Sequence, residues 1–272
     1  SGSAVMYAGT SGTVTVNVSG GVVFNTSGAV SRLTQTGTTT LNLNGGNFDL
    51  QQGTLNLTSS TGGGTISMNA GNFVTTSGFL QKTGTGAGLI TFTGSGPQSI
   101  ALPPAQISSG TINLTLSKAS GDLTLASNLT VSAFTQSAGN LFPGGFTLTI
   151  SGAISQTGGA IGDNVSGSSL TISGAGAVPV SFAFVPSAAF TAFTLNRTSV
   201  TIQTSNDITV SNLTLTAGTF THSGTLTIAD QGSITVNAGV LTNTPAAAGV
   251  YDLSYVNTGA LVTAAELPAA PS

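Results

Sequence analysis

Short stretches in which Val, Ile, Leu or Phe alternate with Thr, Ser or Asn recur along the chain, each opened by a glycine. Examples are Gly53-Thr-Leu-Asn-Leu-Thr, Gly64-Thr-Ile-Ser-Met-Asn, Gly88-Leu-Ile-Thr-Phe-Thr, Gly110-Thr-Ile-Asn-Leu-Thr-Leu and Gly121-Asp-Leu-Thr-Leu. A period of two puts alternate side chains on one face, so each stretch reads as a half-buried β-strand. The intervals between these glycines cluster near 11 and 22. They predict a coil of about 22 residues holding two or more strands, the size class of solenoid repeats. The pattern places Leu114, Leu116, Leu123, Leu125, Leu148 and Ile150 inside, with Thr115, Thr124 and Thr149 outside. No stretch shows the 3.6-residue period of an amphipathic helix.

A longer period lies above this rung. Leu129-Thr-Val-Ser-Ala-Phe-Thr-Gln-Ser-Ala-Gly matches Ile208-Thr-Val-Ser-Asn-Leu-Thr-Leu-Thr-Ala-Gly, and a proline after an apolar residue falls at 103, 186 and 268. The period near 82 divides the chain into units 1–85, 86–166 and 167–248 and a partial fourth, 249–272, of a single continuous solenoid. The expected fold is therefore all-β: an elongated parallel β-solenoid whose stacked units share one core that none could bury alone. The alternative is an array of antiparallel β-sandwich units, for which the shorter of the two strand intervals is tight.

Composition narrows the function. Only 4% of the 272 residues are charged, the cations being Arg32, Lys82, Lys118 and Arg197. With no cluster of Lys and Arg to displace counterions, nucleic-acid binding is excluded. Disorder is excluded too, because the chain is 39% hydrophobic and its apolar residues are patterned. Cysteine is absent, so stability must come from a repetitive ladder rather than from disulfides. The most apolar stretch, from Val178 to Leu195, carries Pro179 and Pro186 and reads as strands, so no membrane insertion is expected. A first residue Ser1 fits removal of a signal peptide or a trimmed chain.

Segments such as Asn212-Leu-Thr-Leu-Thr-Ala-Gly-Thr-Phe, Gly224-Thr-Leu-Thr-Ile-Ala and Tyr251-Asp-Leu-Ser-Tyr, the last running on to Glu266-Leu-Pro, resemble the repeats of very large secreted surface proteins of gliding-type Gram-negative bacteria. Those are often type IX secretion substrates. The resemblance covers most of the chain and implies an extracellular or cell-surface location.

Catalytic chemistry finds little footing. The one histidine, His222, adjoins Ser223, but neighbours on a strand point to opposite faces, and alternation sets His222 opposite the inward Phe220 or in a turn. Asp207, Asp230 and Asp252 recur at intervals close to the supposed coil length, with Asp163 two such steps earlier, so they could stack as the acids of polysaccharide-processing solenoids do. Scattered turn aspartates are the plainer reading. Cys, paired His and calcium-loop motifs are lacking, so no metal or cofactor is expected and the chain is read as non-enzymatic. Asn-x-Ser/Thr occurs at Asn17, Asn25, Asn56, Asn113, Asn128, Asn164, Asn196 and Asn212, as a Thr/Asn-rich composition produces by chance. The pairs Thr13-Val-Thr15, Thr38-Thr-Thr40 and Thr225-Leu-Thr227 evoke the flat threonine arrays of ice-binding solenoids. That function needs the pair at one place in every coil. Because the partners switch among Ser, Asn and Leu and the rung length varies, outward Thr is read as ordinary strand chemistry.

Three functions follow: a structural filament or surface layer, a cell-surface adhesin binding glycans or surfaces, and a polysaccharide-processing β-helix enzyme. The first is favoured, with the chain itself as partner. No charged residue precedes Arg32, and beyond Val250 only Asp252 and Glu266 are charged, so neither end has a charged cap. The expected head-to-tail interface joins Val5, Tyr7, Val14, Val16 and Val18 of one copy to Tyr251, Leu253, Tyr255, Leu261 and Val262 of the next.

Overall fold

The computed structural model describes residues 12–34, 36–162, 165–179, 181–204 and 206–256. It is an all-β parallel β-solenoid of about ten turns. Among the described residues the only helical turn is the 3-10 segment Pro104–Gln106. Pairings are parallel throughout the described strands, which excludes the antiparallel sandwich array. The chain divides into two compact units, Ser1–Gly139 and Asn140–Ser272.

In the first unit one wall consists of Thr13–Val18, Thr38–Leu43, Gly64–Met68, Gly88–Phe92, Asn113–Ser117 and Phe134–Ala138. Val16, Leu41, Ile66, Ile90, Leu114 and Phe134 stand in one inward column, one residue from each rung. From Val16 to Leu114 the rungs exceed the expected length of about 22 residues, because a turn holds three strand segments. After Thr38–Leu43 the chain runs through residues 48–50 and 54–56 of the strand Phe48–Thr58 before rejoining the first wall at Gly64. The shorter intervals seen in the sequence mark passages between neighbouring walls. One corner shows why glycine punctuates them: Gly46 and Gly71 have φ of 68° and 69°, and a Cβ on Gly71 would run into the carbonyl of Gly46 one turn below.

The second unit repeats this design with shorter rungs. Leu148, Leu170, Phe193, Leu213, Ile234 and Leu253 form one inward column. Ile150, Ile172, Leu195, Leu215, Val236 and Tyr255 form the next. Phe182, Phe184, Phe190, Phe193 and Phe220 fill the interior, mostly with edge-to-face contacts, Phe193 and Phe220 having centroids 5.1 Å apart. All six core positions expected from alternation are buried, and Thr115, Thr124 and Thr149 face outward, half-buried.

Candidate functional surfaces

Each wall alternates an inward apolar column with an outward polar one, so any ligand must meet outward columns, corners or rung edges. Of the residues expected at the assembly interface, Val5, Tyr7, Leu261 and Val262 lie outside the described residues. Val14, Val16 and Val18 share the inward side of Thr13–Val18, where Val14 is 36% exposed and the other two are half-buried. Tyr251, Leu253 and Tyr255 lie half-buried on Tyr251–Tyr255, paired with Gly232, Ile234 and Val236.

The acids do not converge. Asp163 lies outside the described residues, and the other three fall in different columns despite their even spacing. Asp207 sits at a corner, where its Oδ1 accepts from the Thr225 amide at 2.6 Å. Asp230 lies at a second corner and accepts from the Val250 amide at 3.1 Å. Asp252 is outward on the strand Tyr251–Tyr255, opposite Ser233. Two of them therefore serve to hold the next rung's backbone. His222 is two positions from Phe220 and ends the strand Ile208–His222, so of the two expected placements the one opposite Phe220 is corrected, while the side chain does engage the bend that follows. At the strand end its Nδ1 lies 2.6 Å from the Gly224 carbonyl, while Ser223 donates to Thr204 instead.

Two of the four cations, Lys118 and Arg197, are inside. Lys118, 0% exposed, follows the strand Asn113–Ser117 and donates from Nζ to Gly94 O at 2.8 Å, Gly96 O at 2.7 Å and Gln98 Oε1 at 2.6 Å. Gln98 in turn donates to Gly71 O at 2.8 Å, so the group ties the corners of three successive turns. Burial lowers the Lys118 pKa, and Asp122 nearby partly offsets this. Arg197, 1% exposed, does the equivalent in the second unit: Nη2 donates to Gly152 O and Ser173 O, both at 2.6 Å. Its pKa is likewise lowered by burial. At Lys118 each ammonium hydrogen meets an oxygen, and such full satisfaction of a buried charge marks a structural clamp.

Outward columns differ between the units. In the first, Asn17, Asn42, Ser67, Thr91, Thr115 and Thr135 make a mixed column, in which Asn42 Nδ2 donates to Asn17 Oδ1 at 2.8 Å. Asn69 likewise donates to Asn44 one turn below, at 2.7 Å. Asn56 is buried and donates to Thr83, so its Asn-x-Thr triplet is not a glycan acceptor in the folded protein. In the second unit, Thr149, Thr171, Thr194, Thr214, Thr235 and Ser254 stand on six successive rungs. The neighbouring outward column holds Thr147, Ser169, Ala192, Asn212, Ser233 and Asp252. Register shifts flank this patch, two between Leu195 and Thr201 and one between Val210 and Asn212.

No protein-family model matches the chain, and neither the curated proteins nor the solved structures give a match. Its surfaces therefore have to be read from their own geometry. No group of three or more His, Cys, Asp or Glu able to hold a metal occurs among the described residues.

Proposed function

We propose that this chain is an extracellular structural repeat protein that stacks head-to-tail with copies of itself into a filament or surface layer. The observation that carries the reading is the fall in burial along the inward columns. Ile66, Ile90 and Leu114 are 0–1% exposed, whereas Val14 on the outermost described strand of that wall is 36% exposed and Val16 and Val18 are half-buried. In the second unit Ile234 is 0% exposed, but Leu253 on the next rung is half-buried. An inward residue of a solenoid is fully covered only when rungs stack on both of its sides, and open rung edges template further pairing. A heterologous contact of this kind repeats without closing and yields a fibre.

The surface supports the same reading. With Lys118 and Arg197 inside, the remaining cations are Arg32, exposed, and Lys82, half-buried. So few charges leave little repulsion between copies. Sedimentation velocity over a concentration series tests the proposal: the wild type is expected to shift to faster, polydisperse species, and Leu253→Lys to stay small because it puts a charge on the stacking edge. A wild type that remains monomeric at the highest concentration contradicts the proposal.

A further inference from the structure

The second unit carries an outward array that the uneven rung lengths conceal in the sequence. Thr149, Thr171, Thr194, Thr214 and Thr235, followed by Ser254, align on consecutive rungs although the interval between them changes from one rung to the next. Each of the five threonines is half-buried and flanked on its own strand by two inward residues, Leu148 and Ile150 in the first case and Ile234 and Val236 in the last. A β-branched side chain hemmed in this way has few χ1 choices, so its methyl and hydroxyl are set in place before any ligand arrives. None of the five hydroxyls makes a hydrogen bond among the described residues, in contrast to the Asn17–Asn42 pair on the first unit's wall.

We propose that this face is an ice-binding surface, adsorbing to a growing ice crystal through a lattice of ordered water held on its hydroxyls and methyls. Parallel strands repeat every ~4.8 Å, and outward residues on one strand are ~6.6 Å apart, so the two columns form a grid of fixed dimensions. Only the first rung sets a Thr-x-Thr pair across it, Thr147 with Thr149; on later rungs Ser169, Ala192, Asn212 and Ser233 stand beside the threonine, so the unbroken threonine column, rather than a pair in every coil, carries the surface. A grid of that scale is close to the oxygen repeats on the faces of hexagonal ice. Charge is absent from the two columns until Asp252 on the last rung, so the array does not impose the strong, disordered hydration of ions. Aromatic residues, the usual platform for a sugar ring, are absent from both columns. The patch spans ~24 Å by ~13 Å, about 300 Å². That is well under the roughly 800 Å² per partner of a stable protein interface, whereas adsorption to a crystal front needs no reciprocal partner surface. Head-to-tail stacking uses rung edges rather than the outward face, so the two roles are independent.

The test is ice growth in the presence of the whole chain, read as thermal hysteresis and crystal faceting, with ice-affinity partitioning of the labelled protein as a direct measure of binding. The wild type is expected to open a gap between melting and growth temperatures and to partition into ice. Thr194→Tyr, at the centre of the column, is expected to lose both while keeping its β spectrum. Thr115→Tyr, an outward, half-buried position on the first unit's mixed column, is expected to retain both. A wild type that neither partitions into ice nor opens a gap overturns the proposal whatever the variants do. So does an equal effect of Thr194→Tyr and Thr115→Tyr. Retention of the wild type on crystalline cellulose or chitin, lost in Thr194→Tyr and without any activity on ice, also overturns it and transfers the face to a polysaccharide.

Discussion

Replacing Lys118 by methionine keeps the length and most of the volume of the side chain and removes only the ammonium. Two opposing effects then compete. The folded protein no longer has to desolvate a charge, a penalty of several kcal/mol per ion, and buried charges exchanged for apolar isosteres are often neutral or stabilising for that reason. The three acceptors, however, stay where they are. Gly94 O and Gly96 O belong to the backbone of the corner, and Gln98 Oε1 is held in place because Gln98 also donates to Gly71 O and Met68 O. Each acceptor left dry costs about 1–3 kcal/mol, and hydrogen bonds to a charged donor contribute about 1.5–3 kcal/mol each. Three of them outweigh the relief of desolvation, and a net loss of about 2–4 kcal/mol follows. Urea unfolding followed by circular dichroism measures it, with hydrogen exchange at residues 94–98 and 118–122 locating the damage. A variant as stable as the wild type, or exchange that accelerates elsewhere and not at those corners, refutes the reasoning.

Other expectations follow from the same structure. Leu125→Ala, at a site 2% exposed, should lower stability by about 2–5 kcal/mol in the same urea experiment. Because burial lowers the Lys118 pKa, the unfolded chain binds more protons than the folded one between the folded pKa and 10.5. The stability of the wild type relative to Lys118→Met should therefore rise with pH between those two values and stay flat below the folded pKa and above 10.5, as unfolding at several pH values would show. Asp207→Ala removes the acceptor of the Thr225 amide and should cost about 1 kcal/mol, whereas Asp252→Ala, outward and exposed, should fall within about 0.5 kcal/mol of the wild type.

The strands were legible because one signal dominates them. Leu114-Thr-Leu116 and Leu148-Thr-Ile150 alternate cleanly, and every such residue went to the side that the alternation demands. The parallel stack was legible from the recurrence of those strands at short intervals. Coil length was not, since corners absorb different numbers of residues: the rung that carries Leu41 to Ile66 is much longer than the one that carries Ile234 to Leu253. For the same reason the even spacing of Asp207, Asp230 and Asp252 misled, while the uneven spacing of Thr171, Thr194 and Thr214 hid a true column. Lys118 and Arg197 were invisible as clamps, because a sequence shows a charge and not the carbonyls that will face it. His222 stands two residues from Phe220, and a period of two returns a side chain to the same face, so its position was legible from parity.

Fibre diffraction from aligned assemblies tests the central claim most directly. If copies stack head-to-tail, the rungs of every chain lie across the filament axis, and the strand spacing of ~4.8 Å appears as a reflection along that axis. Filaments whose ~4.8 Å reflection lies perpendicular to the axis would mean lateral packing instead, and a chain that forms no filaments at any concentration would contradict the proposed structural role outright.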